Sequence, residues 1–137
     1  MAFRFTALVA SGQDDPDVDD AVVAGVAESP DGEGFFLLFM CDFEEPDVQE
    51  VALGMDTHCL VIPDQGTAYG CVREVELTGD LLRVTLDPDA LDDLGLTDSV
   101  IEAQLRVPSA QLARLREVLP RIVAFGRPEA RPRLVLD

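Results

Sequence analysis

The sequence predicts an α+β, mainly β fold: a mostly antiparallel sheet of about six to eight strands, a short helix near residues 88–94 and a C-terminal helix near 109–125. Three observations carry this. Short apolar segments with a period of two recur along most of the chain. Turn residues punctuate them at short intervals, which favours antiparallel pairing, because a parallel crossover needs a dozen residues or more. Only the C-terminal part holds a long stripe at helical spacing. No repeat or linker divides residues 1–137, and 137 residues is a common size for one domain.

Residues 2–10 alternate Phe3, Phe5, Ala7 and Val9 against Arg4 and Thr6, the pattern of a half-buried strand. Residues 13–20 form an exposed acidic loop, and 21–27, rich in Val and Ala, form a second strand. Ser29-Pro30-Asp31-Gly32 is a strong turn signal. The run 35–41 reads as a central strand covered on both faces. Residues 44–54, with four acids and Pro46, read as a loop or one helical turn. Residues 57–62 give a further strand, and Pro63-Asp64-Gln65-Gly66 a turn. Residues 68–77 read as one longer strand with Tyr69, Cys71, Val75 and Leu77 on one face, turned by Thr78-Gly79-Asp80 into 81–86. Asp87-Pro88 opens the short helix as cap and first residue, and Gly95 ends it. Residues 100–107 return as a strand. Ser109 is placed to cap the last helix, whose apolar stripe is Leu112, Leu115, Leu119, Ile122 and Val123. Pro120 lies inside that stripe, where a proline kinks or divides a helix. Residues 131–136 offer an edge strand.

Charge is distributed unevenly. Residues 1–105 hold 24 of the 27 acids against three Arg, a balance of −21; residues 106–137 hold seven Arg against three acids, a balance of +4. There is no Lys. Such a field repels nucleic acid and anionic membrane and attracts basic partners. The hydrophobic share, 47%, is that of a globular chain. No apolar run approaches the roughly 20 residues of a membrane helix, and the N-terminus has no signal-peptide zoning. The expectation is therefore a cytoplasmic protein with reduced thiols, and three Cys, which cannot all pair, agree with that.

Few residues point to chemistry. The single His, His58, precedes Cys59, but strand neighbours point to opposite faces, so the imidazole is badly placed to activate that thiol. Cys41, Cys59, Cys71 and His58 lack the close pairs of a structural zinc site. Asp15-Pro16-Asp17-Val18-Asp19 opens like a calcium loop, but Asp20 stands where Gly is required and Val26 where Glu is required. Gly32-Glu33-Gly34 precedes no helix, so the dinucleotide pattern fails. No Gly-rich phosphate loop is present, and no cofactor is implied. Carboxylate pairs that could serve a sugar are inevitable by chance among 27 acids.

Residues 52–61 (Ala-Leu-Gly-Met-Asp-Thr-His-Cys-Leu-Val), residues 68–72 (Ala-Tyr-Gly-Cys-Val), the hairpin after them, residues 91–96 (Leu-Asp-Asp-Leu-Gly-Leu) and the close at Ala124-Phe125-Gly126-Arg127-Pro128 together resemble the immunity protein 10 family of bacterial polymorphic toxin systems. The resemblance implies a mostly-β protein encoded beside a toxin, which it neutralises by binding rather than by chemistry. It transfers no site residues. The charge reading runs in parallel, since toxin domains that cut nucleic acid are commonly basic. The expected partner is a cognate toxin domain of basic character, a nuclease among the candidates; nothing calls for a homo-oligomer. The expected contact residues are the middle-region acids outside the apolar alternation: Asp42, Glu44, Glu45, Asp47, Glu50, Asp56, Asp64, Glu74 and Glu76. The alternative is an acidic adaptor or regulatory subunit for another basic protein, with a carboxylate enzyme the third reading.

Overall fold

Leu8 is where the chain changes sheets. In the computed structural model, which describes residues 2–18, 21–31, 33–43, 47–53, 56–63, 66–126 and 128–136, the first apolar segment is two strands and not one. The elements run β1 (Ala2–Ala7), β2 (Val9–Gln13), β3 (Val22–Ala27), β4 (Phe36–Cys41), α1 (Val48–Ala52), β5 (Cys59–Ile62), β6 (Gly66–Tyr69), β7 (Val72–Thr78), β8 (Leu81–Leu86), α2 (Leu91–Leu94), β9 (Val100–Leu105), α3 (Ser109–Val123) and β10 (Arg133–Leu136). They form two five-stranded sheets: A, ordered β1-β9-β8-β7-β10, and B, ordered β2-β3-β4-β5-β6.

The mainly β, α+β class holds, while the single-sheet picture is replaced by two sheets around a shared core. A second sheet change explains the segment read as one strand over 68–77. Gly70 adopts φ 64°, a left-handed conformation that breaks the strand between β6 and β7. Tyr69 is consequently exposed, off the buried face that Cys71, Val75 and Leu77 share. Most pairs are antiparallel, but β1 joins β9 and β10 joins β7 in parallel. Both parallel partners are far apart in sequence, and the intervening elements supply the crossover length that short turns lack.

The core is one continuous cluster drawn from the inner faces of both sheets and from the helices. Sheet A contributes Phe5, Ala7, Val75, Leu77, Leu82, Val84, Ile101, Ala103 and Leu105. Sheet B contributes Val22, Ala24, Val26, Leu37, Phe39 and Leu60. Helix α3 lies on the inner side of sheet B, against β2 and β3. It buries Leu115, Val118, Leu119, Ile122 and Val123. The same helix caps the β2 edge: Gln111 Oε1 accepts from the Ala10 amide at 3.0 Å, and Arg114 Nε donates to the Gly12 carbonyl at 3.0 Å. Gly12 permits this approach, because a Cβ there would stand 2.6 Å from the Arg114 carbonyl oxygen and 2.9 Å from a Val118 methyl. An aromatic cluster closes one end, with Phe35 4.5 Å from Phe3 and 5.0 Å from Phe5 between ring centroids.

The caps are mixed. Asp87 Oδ1 accepts from the Asp89 amide at 3.0 Å and caps the 3-10 turn Pro88–Ala90 that leads into α2, and Gly95, at φ 68°, ends α2, both as the sequence indicates. Ser109 is instead the first residue of α3; Pro108 holds the cap position, and no side chain caps that end. Pro120 does not divide α3, which runs unbroken to Val123. The proline forfeits one backbone bond, but Leu119, Ile122 and Val123 are buried on either side of it and hold the final turn in place.

Beyond α3 the chain turns at Gly126, φ 80°, directly over residues 56–57. A Cβ at Gly126 would sit 2.1 Å from the Asp56 carbonyl oxygen and 3.1 Å from the Thr57 Cα. Arg131 fixes the turn by donating from Nε and Nη2 to the Gly126 carbonyl at 3.1 and 2.8 Å. Gly126→Ala combines a left-handed φ with a backbone clash, so a loss of about 2 kcal/mol or more is expected. Urea denaturation measures it; a midpoint equal to wild type would show that this seam carries little stability.

Candidate functional site

The residues that resemble chemistry are locked into the fold. His58 is 1% exposed. Its Nε2 accepts from the Val72 amide at 3.2 Å, so the proton resides on Nδ1, which is buried without a hydrogen-bond partner among the described residues. The backbone around it is tied equally firmly: its carbonyl accepts from the Gly70 amide at 3.1 Å and from the Thr57 hydroxyl at 3.0 Å. Burial lowers the imidazole pKa to about 4. A ring that is neutral, buried and already accepting a backbone bond staples β7 to the segment before β5 and is not available as a general base.

The three thiols are buried and unpaired with one another. Desolvation raises Cys41 to about 11 and Cys71 to about 12. Burial raises Cys59 as well, with a hydrogen bond from Tyr69 acting in the opposite sense. All three are therefore neutral thiols at ordinary pH, poor nucleophiles and poor metal ligands. Among the described residues no group of three His, Cys, Asp or Glu side chains converges as a metal site. Asp15 in the acidic loop uses Oδ1 to accept from the Asp17 amide at 2.9 Å, an ordinary loop turn.

The nine middle-region acids do not share a face. Glu44, Glu45 and Asp64 lie outside the described residues, as does the Glu50 side chain. Asp42, just after β4, and Asp47, just before α1, are exposed in the connection between β4 and β5. Asp56 is only 5% exposed, beneath Gly126. Glu74 and Glu76 stand elsewhere, on the outer face of sheet A, within a ladder of alternating sign. Across neighbouring strands Arg4 pairs in register with Glu102, Glu102 with Arg83, and Arg83 with Glu76; one step along, Glu74 pairs with Arg133. Arg4 Nε reaches Glu102 Oε1 at 2.7 Å, and Arg133 Nη1 lies 3.7 Å from Glu74 Oε2. Three cations and three anions leave that face near neutrality. Two of the C-terminal Arg residues are also engaged: Arg114 pairs with Asp14 and Glu117, and Arg121 sits 3.9 Å from Asp14 and 5.3 Å over the Phe43 ring.

The outer face of sheet B is of a different kind, and it went unpredicted. The sequence suggests that 35–41 is covered on both sides, yet only Leu37, Phe39 and Cys41 are buried; Phe36, Leu38 and Met40 face outward and are half-buried. A run of consecutive apolar residues looks the same whether or not a layer covers its second face. A cavity of about 290 Å³ opens here, lined by Met40, Asp42, Cys59, Val61, Tyr69 and Phe125 among others.

These features describe a small, mainly β protein of acidic composition with an open apolar sheet face. The sequence model of the family described as Immunity protein 10 matches residues 6–113, most of the chain. The chain belongs to the immunity protein 10 family. No curated protein and no solved structure matches it. Among the described residues no helix is long and apolar enough to cross a membrane.

The His58 environment has a pH signature. Between about pH 4 and 6.5 the unfolded chain binds a proton that the folded chain refuses. This contribution to stability is complete above pH 6.5 and is lost as pH falls toward about 4. The total is about 3 kcal/mol. The single imidazole should titrate by NMR with a midpoint near 4, whereas a midpoint near 6.5 would contradict the buried neutral ring.

Proposed function

We propose that this chain neutralises a cognate toxin domain by forming a tight complex with it and performs no chemistry of its own. Membership of the immunity protein 10 family carries this reading. Two observations on the chain itself support it. The imidazole of His58 and the thiols of the three cysteines are buried and neutral. The formal charge of −17 is what remains after every Arg is set against an acid, and among the described residues the ion pairs involve Arg4, Arg73, Arg114, Arg121 and Arg133.

The excess acid favours a partner rich in Arg and Lys, such as a toxin that must hold phosphates. Of the nine acids singled out in the sequence, Asp42 and Asp47, with Glu44, Glu45 and Glu50 in the same connection and Asp64 between β5 and β6 in sequence, are the ones this reading assigns to contact. Glu74 and Glu76 are matched by Arg83 and Arg133 within sheet A, and Asp56 is shielded. Long-range attraction between an acidic inhibitor and a basic toxin raises the association rate more than it deepens the bound state.

Two measurements test the reading. Expressing the C-terminal domain of the large gene neighbouring this one should arrest growth, and co-expressing this chain should restore it; arrest without rescue contradicts the proposal. In stopped-flow mixing with the purified domain, raising salt from about 0.01 to 0.15 M shortens the Debye length from roughly 30 to 8 Å. The association rate constant should fall by about tenfold or more, and a rate indifferent to salt removes electrostatic steering from the account.

A further inference from the structure

The two outer sheet faces differ in kind. On sheet A, the ladder of six charged side chains covers the outside. On sheet B the outward positions follow from the register. One row runs Gln13, Val23, Met40, Cys59 and Tyr69; the next runs Ser11, Gly25, Leu38, Val61 and Thr67; the third runs Val9, Ala27 and Phe36. None of these thirteen positions is charged, in a chain of which 27% is charged. Both α3 and α2 pack on the opposite side, as shown by Gly12, whose Cβ position meets Val118, and Gly66, whose Cβ position meets the Leu94 carbonyl. Val23, Leu38, Met40 and Val61 thus remain only half-buried, and Tyr69 is 43% exposed.

Acids frame this apolar field at both strand ends. Beyond the Met40 row lie Asp15 and Asp17 in the connection from β2 to β3, and Asp42 and Asp47 in that from β4 to β5. Beyond the Phe36 row lie Glu28, Asp31 and Glu33 in the connection from β3 to β4. The connection from β4 to β5 also exposes Val48, Val51 and Leu53, at 87%, 54% and 64%. An apolar centre inside a charged rim is the anatomy of a protein–protein interface. Apolar side chains grouped on an accessible surface mark sites where something docks.

We infer that the outer face of sheet B is the toxin-docking surface, with Leu38, Met40, Val61 and Tyr69 as the apolar centre and the acids at both strand ends as clamps for Arg and Lys of the toxin domain. This rests on the immunity reading above and adds the location of the contact. Charge decides the occupant. A second copy of this chain would bring one acidic rim against another, each on a protein of formal charge −17, whereas a basic domain meets opposite charge at both ends. The cavity beside Met40, Val61 and Tyr69, with Asp42 at its margin, has the chemistry to take an Arg side chain: an apolar wall for the stem, an aromatic ring, and a carboxylate for the guanidinium.

The test uses the full chain and the C-terminal domain of the neighbouring large gene, with binding read by calorimetry. Leu38→Arg and, as a milder change at an exposed position, Tyr69→Ala should each weaken binding by at least about 30-fold, the loss expected of an interface hot spot. Thr85→Arg and Gln104→Arg, on the outer face of sheet A, should leave it within about threefold, as changes outside the interface do. Circular dichroism and thermal melting check that each variant is folded; should Leu38→Arg not fold, Tyr69→Ala and Val61→Thr decide. Wild-type binding that survives the sheet B variants and is lost in the sheet A variants overturns the location while leaving the immunity reading standing. A wild-type chain that does not bind the domain at all defeats the immunity reading first, and this proposal with it. A wild-type dimer in sedimentation that Leu38→Arg dissociates would assign the face to self-association instead.

Discussion

Helix α3 and the turn after it are seated by two contacts that admit no side chain, Gly12 on the inner face of sheet B and Gly126 over residues 56–57. The first lets the helix backbone lie directly on β2, where Gln111 and Arg114 satisfy the strand's edge groups. The second lets the chain after the helix press onto residues 56–57, next to the buried His58. Five buried apolar side chains of α3 fill the space between. With the helix committed to the inner side, sheet B has no described layer on its outside. The open face is thus a consequence of how the core is closed.

Charge follows from the same arrangement. With ten Arg against 27 acids, only a minority of the carboxylates can find an internal partner. The fold spends Arg4, Arg83 and Arg133 on the outer ladder of sheet A, and Arg114 and Arg121 on Asp14 beside α3. Exposed pairs of this kind contribute little stability one by one. Their effect is on distribution: one face is made nearly neutral, and exposed acids lie at the strand ends of sheet B. Specificity on an apolar face is poor without such a rim, because hydrophobic contact is not directional.

Much of the fold was legible in the sequence. The alternation in 81–86 and 100–107, the Asp87-Pro88 cap and Gly95 stop, and the stripe of α3 all led to elements at or near their observed bounds. The two sheet changes were not legible, since Leu8 and Gly70 interrupt otherwise regular apolar patterns and only tertiary packing reveals that the strand continues elsewhere. Parallel pairing at β1 and β10 was likewise hidden, because it joins segments with no local signal between them. For the candidate site, the sequence identified the acids but not their grouping. Nothing local separates Glu76, matched across the sheet by Arg83, from Asp42, exposed at the end of β4. Nor does composition distinguish Leu38, half-buried on an open face, from Leu37, fully enclosed.

The claim that the toxin domain docks on sheet B is tested most directly by methyl cross-saturation NMR of the complex, with this chain methyl-labelled and its partner protonated. The account predicts transfer from the partner to the methyls of Val23, Leu38, Met40 and Val61, with the methyls of Thr6, Thr85 and Val135 on the outside of sheet A unaffected. Transfer confined to sheet A would contradict it.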